Sequence, residues 1–207
     1  MKKSEVTRQR LLTAALQEFS EFGIAGARVD RIASRSGANK SLIYHYFGSK
    51  NVLFEETYLQ LVLSKYTKIP LDDFDLVRFA DALFREYEDH PEILRVLGWY
   101  RLHSSSLPRL DAAIAEAVAP VRLAVTRAQE TGKLPNNVSA DQLLTMTTSI
   151  AEAPYSAAAE MFEVFDGPAH SQARHFVRRG VRLLLEGLAA EGEHAPREAS
   201  RKTPAGY

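Results

Sequence analysis

The chain has no cysteine among its 207 residues, and that absence removes disulfides, thiolate metal sites and cysteine nucleophiles together. It also has no apolar run near the roughly 18–20 residues needed to cross a bilayer. The basic opening, Met1 to Arg10, is not followed by the apolar stretch of a secretory signal, so a cytoplasmic protein is expected. Gly-x-Ser-x-Gly, His-Glu-x-x-His and a phosphate-binding glycine loop are all missing, so no enzyme is expected. His170 and His175 are five residues apart, a spacing that does not align two ligands on a helix face, and neither metal nor cofactor is expected. Period-2 alternation of useful length is lacking, as are internal repeats. The chain reads as all-α, with about nine helices.

What is present is unevenly distributed. Composition is ordinary for a folded protein, with 45% hydrophobic and 25% charged residues, and the formal net charge is zero. That zero hides a division. Residues 1–50 carry nine Lys or Arg against four Asp or Glu, a net of +5, and the other 157 residues carry 17 against 22, a net of −5. A basic N-terminal module on an acidic body implies a polyanionic partner for one end only.

The stretch Val29–Lys50 reads as two short helices joined by a glycine. Val29, Ile32 and Ala33 share one face of the first. Gly37 supplies a left-handed corner that a residue with a β-carbon resists, and Asn39 is a good N-cap for the second helix. There Ile43 and Phe47 fall on one side for burial, while Lys40, Ser41 and Tyr44 fall on the other with His45 beside them. A short helix that turns a base, a hydroxyl and an aromatic outward suits a major groove better than a core.

Around this stretch the helical periodicity is continuous. A first helix is expected over Glu5–Phe22, with Leu12, Ala15, Leu16, Phe19 and Phe22 inside, Thr7 or Ser4 as its cap and Gly23 as its end. Arg8 and Arg10 lie in its first turns, the unfavourable end for a cation unless an anion is near. Ser49 caps a fourth helix through about Tyr66. Further helices are expected over about Asp73–Asp89, from Pro91 through Leu102, and from Pro108 to about Thr131. Another starts at Ser139 and bends or splits at Pro154, and the last covers about His170–Ala189. The organisation expected is a DNA-binding module over 1–50, a helical body over 51–190 and a disordered tail over 191–207.

Residues 5–60 resemble the DNA-binding domain of the TetR family of transcriptional regulators. The resemblance rests on Phe19-x-x-x-Gly23, Val29-x-x-Ile32-Ala33, Gly37 and the run Leu42 to Lys50, with its Tyr44-x-x-Phe47-x-x-Lys50 spacing. It implies a helix-turn-helix domain followed by a helical ligand-binding and dimerisation domain. It further implies phosphate contacts from Tyr44 and Lys50, base-edge contacts from Lys40 and Ser41, and contacts at the flank from His45 or Tyr46. Arg28, Leu42 and Thr7 complete the candidate DNA-binding set. Leu42 either meets a thymine methyl or packs under the turn.

Two positions depart from the family pattern. Ala27 stands where a threonine is common and loses its cap. Asp30 stands where some members carry a basic reader, so either Arg28 or Arg31 substitutes, or Asp30 accepts from a cytosine amine.

The resemblance also implies a ligand-responsive regulator that binds double-stranded DNA at a palindromic operator. Repression is the family's usual outcome, with activation or a co-repressor as the alternative; an all-α interaction module is the remote one. A homodimer through the last two helices, about 139–162 and 170–189, is implied, with Ala151, Ala157, Ala158 and Ala159 small enough for close helix approach. Phe84, Tyr87, Trp99, Tyr100, His103, Met146, Tyr155 and Met161 are the candidate ligand-binding groups. Trp99 and His103, four apart on one face, point to an apolar or aromatic effector with one polar handle.

Overall fold

The computed structural model describes residues 3–67, 71–103, 108–156 and 169–194, and among these every regular element is a helix. There are nine: α1 (Lys3–Gly26), α2 (Val29–Ser36), α3 (Lys40–Phe47), α4 (Lys50–Thr67), α5 (Leu76–Asp89), α6 (Glu92–His103), α7 (Pro108–Glu130), α8 (Ala140–Ser156) and α9 (Ala169–His194).

Helix α1 is the keel of the small N-terminal head formed with α2 and α3. It packs against α2 on one side and against α4 and α6 on the other. Its buried face is Leu11, Leu12, Ala14, Ala15 and Phe19, and the Phe19 ring meets Phe54 of α4 edge-on at 5.2 Å between centroids. Helix α4 leaves the head and runs into the body, where it packs on α7 and α6. In the body, α5 lies across both α8 and α9, and α7 closes against α8. The core is therefore continuous from head to body: Phe54 and Tyr58 on α4 are followed by Phe79, Leu83, Phe84 and Tyr87 on α5 and Val177 and Val181 on α9.

The caps explain most boundaries. Gly37 adopts φ 60°, ψ 28°, the left-handed corner expected of it, and Asn39 accepts from the Ser41 amide at 2.9 Å. Ser49 accepts from Val52 at 3.2 Å to open α4. At α8, Ser139 and Gln142 form a reciprocal capping box, each side chain taking the other's amide at 3.2 and 2.8 Å.

Several expected boundaries move. Helix α1 begins at Lys3, so neither Ser4 nor Thr7 caps it. It also does not stop at Gly23: the chain kinks there at φ 66°, ψ −177° and continues helical to Gly26. Phe22, expected inside, is 37% exposed, because the kink turns it out beneath the Arg31 guanidinium, which lies 4.1 Å from its ring centre. Helix α5 starts later than expected, since Asp75 caps it by accepting from Val77 and Arg78 at 2.8 and 3.0 Å. Pro154 lies within α8, which passes through it to Ser156. Helix α9 runs five residues beyond Ala189, to His194, so the expected tail loses its first residues to helix. Ala157, Ala158, Ala159, Met161 and residues 195–207 lie outside the described residues.

Candidate nucleic-acid interface

The recognition helix is held by two apolar anchors. Ile43 and Phe47 of α3 are 0% and 4% exposed, whereas Tyr44, one residue from Ile43, is 46% exposed. That contrast within one turn aims the other face of α3 at solvent. Lys40, Ser41, Tyr44 and His45 are all exposed there, as is Arg28 at the entrance to α2. Leu42, Tyr46, Lys50 and Thr7 are partly buried. Leu42 packs against the core, and the Tyr46 hydroxyl donates to the Ser4 carbonyl at 3.3 Å. The Lys50 ammonium donates to the Ala25 and Ala27 carbonyls at 3.3 and 3.0 Å. It thus satisfies one carbonyl in the last turn of α1 and one just past the helix end, and its charge is fixed at the head's edge.

The missing cap at Ala27 is made good from another helix. Arg28 sits at the N-cap of α2 with no side-chain cap of its own, but its backbone amide donates to Oε1 of Glu18 on α1 at 2.9 Å. Glu18 is fully buried and also receives the Arg31 Nε at 2.7 Å. Its second oxygen makes no hydrogen bond and has the Arg35 guanidinium at 3.9 Å. Burial alone would push this carboxyl up. The Arg31 hydrogen bond, the Arg28 amide and the charges of Arg31 and Arg35 more than offset it, and hold Glu18 below the ordinary value of 4.5. The periodicity carried a signal for this residue: Glu18 continues the face of Leu11, Ala14 and Ala15, so an acid falls on an otherwise apolar stripe.

The arginines near the start of α1 find protein acceptors as well. Arg8 pairs with Glu56 of α4 at 2.5 Å, and the Arg10 guanidinium donates to the Ser36 carbonyl at the end of α2. Arg31 is committed to Glu18 and the Gly26 carbonyl. Of the two candidates to replace the basic reader, only Arg28 presents its side chain outward. Asp30 forms an ion pair with Lys40, Nζ to Oδ1 at 2.8 Å.

The candidate ligand groups among the described residues divide among four places. Phe84 and Tyr87 of α5 are buried, with Tyr155 of α8 packed on them at 5.5 and 6.3 Å between ring centres. Beside them lies a polar centre that the sequence reading did not find: buried Glu152 accepts from the Tyr87 hydroxyl at 3.3 Å and pairs with Arg101 of α6. Nothing in the local pattern of α8 marks Glu152, because its partners come from α5 and α6. Tyr100 stacks on Tyr58 at 4.2 Å and donates to Asp111. Trp99 lies against Gly23 of α1, and the His103 ring is 2.9 Å from the Trp99 carbonyl. Met146 is exposed on α8.

An exposed, basic recognition helix carried by a three-helix head on a helical body defines a helix-turn-helix DNA-binding protein. Residues 11–57 match the model of the bacterial regulatory proteins of the tetR family, and residues 75–182 match that of the tetracyclin repressor-like C-terminal domain. The chain belongs to the TetR family.

It is 37% identical over 149 residues to the HTH-type transcriptional repressor SCO4008 of Streptomyces coelicolor, covering 71% of this chain and 77% of that one. It is 29% identical over 160 residues to the HTH-type transcriptional repressor NicS of Pseudomonas putida, covering 72% and 75%. Among solved structures, the transcriptional regulator SCO4942 of Streptomyces coelicolor superposes with a TM-score of 0.67 at 31% identity, over 86% of this chain and 97% of that one. A TetR-family regulator of Mesorhizobium loti shares the fold at 18% identity and a TM-score of 0.64, over 90% and 98%. The protein is thus a DNA-binding transcriptional regulator, not an enzyme. Among the described residues no helix is long and apolar enough to cross a membrane.

Proposed function

We propose that this regulator is a cytoplasmic repressor that binds a palindromic operator as a homodimer and is released by a small, largely apolar effector. The observation that carries the DNA-binding part is the turn-by-turn contrast on α3, with Ile43 and Phe47 anchored and Lys40, Ser41 and Tyr44 exposed. In this reading residues 1–50 form the DNA-binding unit and 51–190 the ligand-binding and dimerisation unit. Lys40 and Ser41 reach base edges, with Leu42, His45 and Tyr46 at the flank. Tyr44, Lys50, Arg28 and Thr7 set the register on phosphates.

A dimer follows from the size of the reader. One eight-residue helix reads few bases, and two copies about 34–36 Å apart match successive turns of B-DNA. Helices α8 and α9 support the pairing. Met146 on α8 and Phe176 and Leu183 on α9 are 38%, 41% and 55% exposed, and such side chains lose water when a second copy covers them. Gly180 already brings α9 close to α8, with room for only 3.1 Å between an added β-carbon and Ile150.

In this reading the effector site is the aromatic group of Phe84, Tyr87 and Tyr155 beside Glu152 and Arg101, apolar with a polar handle. Any effector that releases DNA must bind better to a state in which the two heads are wrongly spaced. Helix α4, which packs on α1 in the head and on α7 in the body, is the lever.

The test is a gel shift on the DNA upstream of the protein's own gene, with wild type and Lys40→Ala, followed by addition of small molecules extracted from the purified protein. A retarded band that Lys40→Ala weakens, and that the extract dissolves, is expected. Absence of any specific shift counts against the operator reading. A shift that survives every tightly bound extract counts against release by an effector.

A further inference from the structure

The ion pair between Asp30 and Lys40 joins two residues that the head presents to solvent from different helices. Asp30 is the second residue of α2 and Lys40 the first of α3. Lys40 Nζ lies 2.8 Å from Oδ1 and 3.1 Å from Oδ2. Both side chains are well exposed, 49% for Lys40 and 74% for Asp30, so the pair contributes little to folding. It does fix where the reading lysine points. The carboxylate beside it holds the Lys40 ammonium above the ordinary lysine value, and it offsets the unfavourable place of a cation at a helix N-terminus.

An acid at this edge is costly for DNA binding unless it has a partner there, because it repels phosphate. The major-groove edge of a G·C pair supplies one. Guanine shows two acceptors, O6 and N7, and the cytosine next to it shows one donor, the N4 amine. A lysine has three N–H donors and a carboxylate only acceptors. One ammonium can give a hydrogen to Asp30 and another to guanine while the carboxylate accepts from the cytosine amine. The pair is therefore a donor–acceptor unit matched to that edge. An A·T pair presents a different order of groups, and a phosphate meets the carboxylate's negative charge.

We propose that Asp30 and Lys40 act as one unit that reads a single G·C base pair, with Lys40 at the guanine and Asp30 at the cytosine amine. This rests on the reading of α3 as the recognition helix given above. It makes Asp30 a specificity-determining residue that gains discrimination by repelling wrong partners as well as by binding the right one.

The experiment is selection of bound duplexes from a random pool by wild type, Asp30→Asn, Lys40→Ala and the double variant, followed by affinity measurements. Wild type should select a half-site with one invariant G·C pair whose replacement by A·T costs about 5- to 100-fold in affinity. Asp30→Asn should relax that one position and tighten binding to unrelated duplex; in the Lys40→Ala background it should leave base preference at that position unchanged, while removal of the acid still tightens binding to unrelated duplex. With the wild-type protein, 7-deazaguanine or N4-methylcytosine, which keeps its Watson–Crick hydrogen, should each weaken binding at that pair. Selection by Asp30→Asn of the same site with the same discrimination would overturn the pair as a reader. So would an equal effect of Asp30→Asn on that discrimination with and without Lys40, which would reduce Asp30 to bulk charge. A wild-type protein that selects no sequence removes the operator reading itself, a distinct failure.

Discussion

The indole of Trp99 occupies the space where a β-carbon on Gly23 would be: such an atom would lie 2.8 Å from Cε2 and 2.9 Å from Cδ2 and Cζ2. Two restrictions meet at one residue. The backbone of Gly23, at φ 66° and ψ −177°, is in a region that only glycine enters freely, and the ring closes the space above it. The contact joins the kink of α1 to α6, and so joins the head to the body.

Gly23→Ala should therefore destabilise the protein by roughly 2–4 kcal/mol, combining backbone strain with overpacking. Urea denaturation followed by circular dichroism measures it. Trp99→Ala removes the crowding but not the strain, so the double variant should be more stable than the two single losses added together. Strict additivity would mean that ring and glycine do not share this space in solution.

Trp99 is the one tryptophan in the chain, so its emission reports on this seam alone. Titration with the selected operator duplex should shift or quench it, because fixing the head on DNA changes how α1 rests on α6. An unrelated duplex, at concentrations where it is not bound, should leave the signal unchanged. An identical response to both duplexes would disconnect the seam from sequence-specific binding.

Glu18 ties the head's stability to acid pH. Its native pKa is lowered, so its contribution is fully present above the unfolded value near 4.5 and fades as pH falls through the lower native value. Asp81, lowered by its hydrogen bonds from Arg174 of α9 at 2.6 and 2.7 Å, adds loss in the same direction. Glu18→Gln should cost about 1–3 kcal/mol at pH 7, less than a fully buried pair because Arg31 is 33% exposed. The variant's stability should also fall less steeply than wild type as pH drops below the ordinary carboxyl value near 4.5. Parallel pH profiles for the two proteins would contradict the assignment.

Lys50 has two duties that separate by measurement. As a donor to the Ala25 and Ala27 carbonyls it supports the end of α1, and Lys50→Ala should lower stability by about 1 kcal/mol. As a phosphate contact it should weaken operator and unrelated duplex alike, and lower the slope of log affinity against log salt by about 1 per head. Loss of stability with an unchanged salt slope would leave Lys50 a purely structural residue.

The succession of elements was legible in the sequence because it rests on local chemistry. The turn at Gly37, the caps at Asn39 and Ser49, and the alternation of Ile43 and Phe47 with Lys40 and Tyr44 involve residues no more than four apart. That sufficed for an all-α chain with a helix-turn-helix near its start. The misjudged ends have separate local causes: Gly23 reads as a stop, the Asp75 cap of α5 goes unread, and the last helix is ended too early at Ala189. At Gly23 the helix continues as a kink, with Trp99 filling the space above it, and at Pro154, expected to bend or split the helix, α8 runs on to Ser156.

The partners of charged groups could not be read locally. Glu18 with Arg31, Asp81 with Arg174, Glu152 with Arg101, and Asp30 with Lys40 are separated by 13, 93, 51 and 10 residues, and helical periodicity reports only which face a residue shares with its own turn. Composition determined that the head is basic and the body acidic. The tertiary structure decided which of those bases are already spent on protein acceptors, leaving Arg28 outward, Arg31 inward and Lys40 on Asp30, because a charge is committed only when folding brings its partner within a few ångströms.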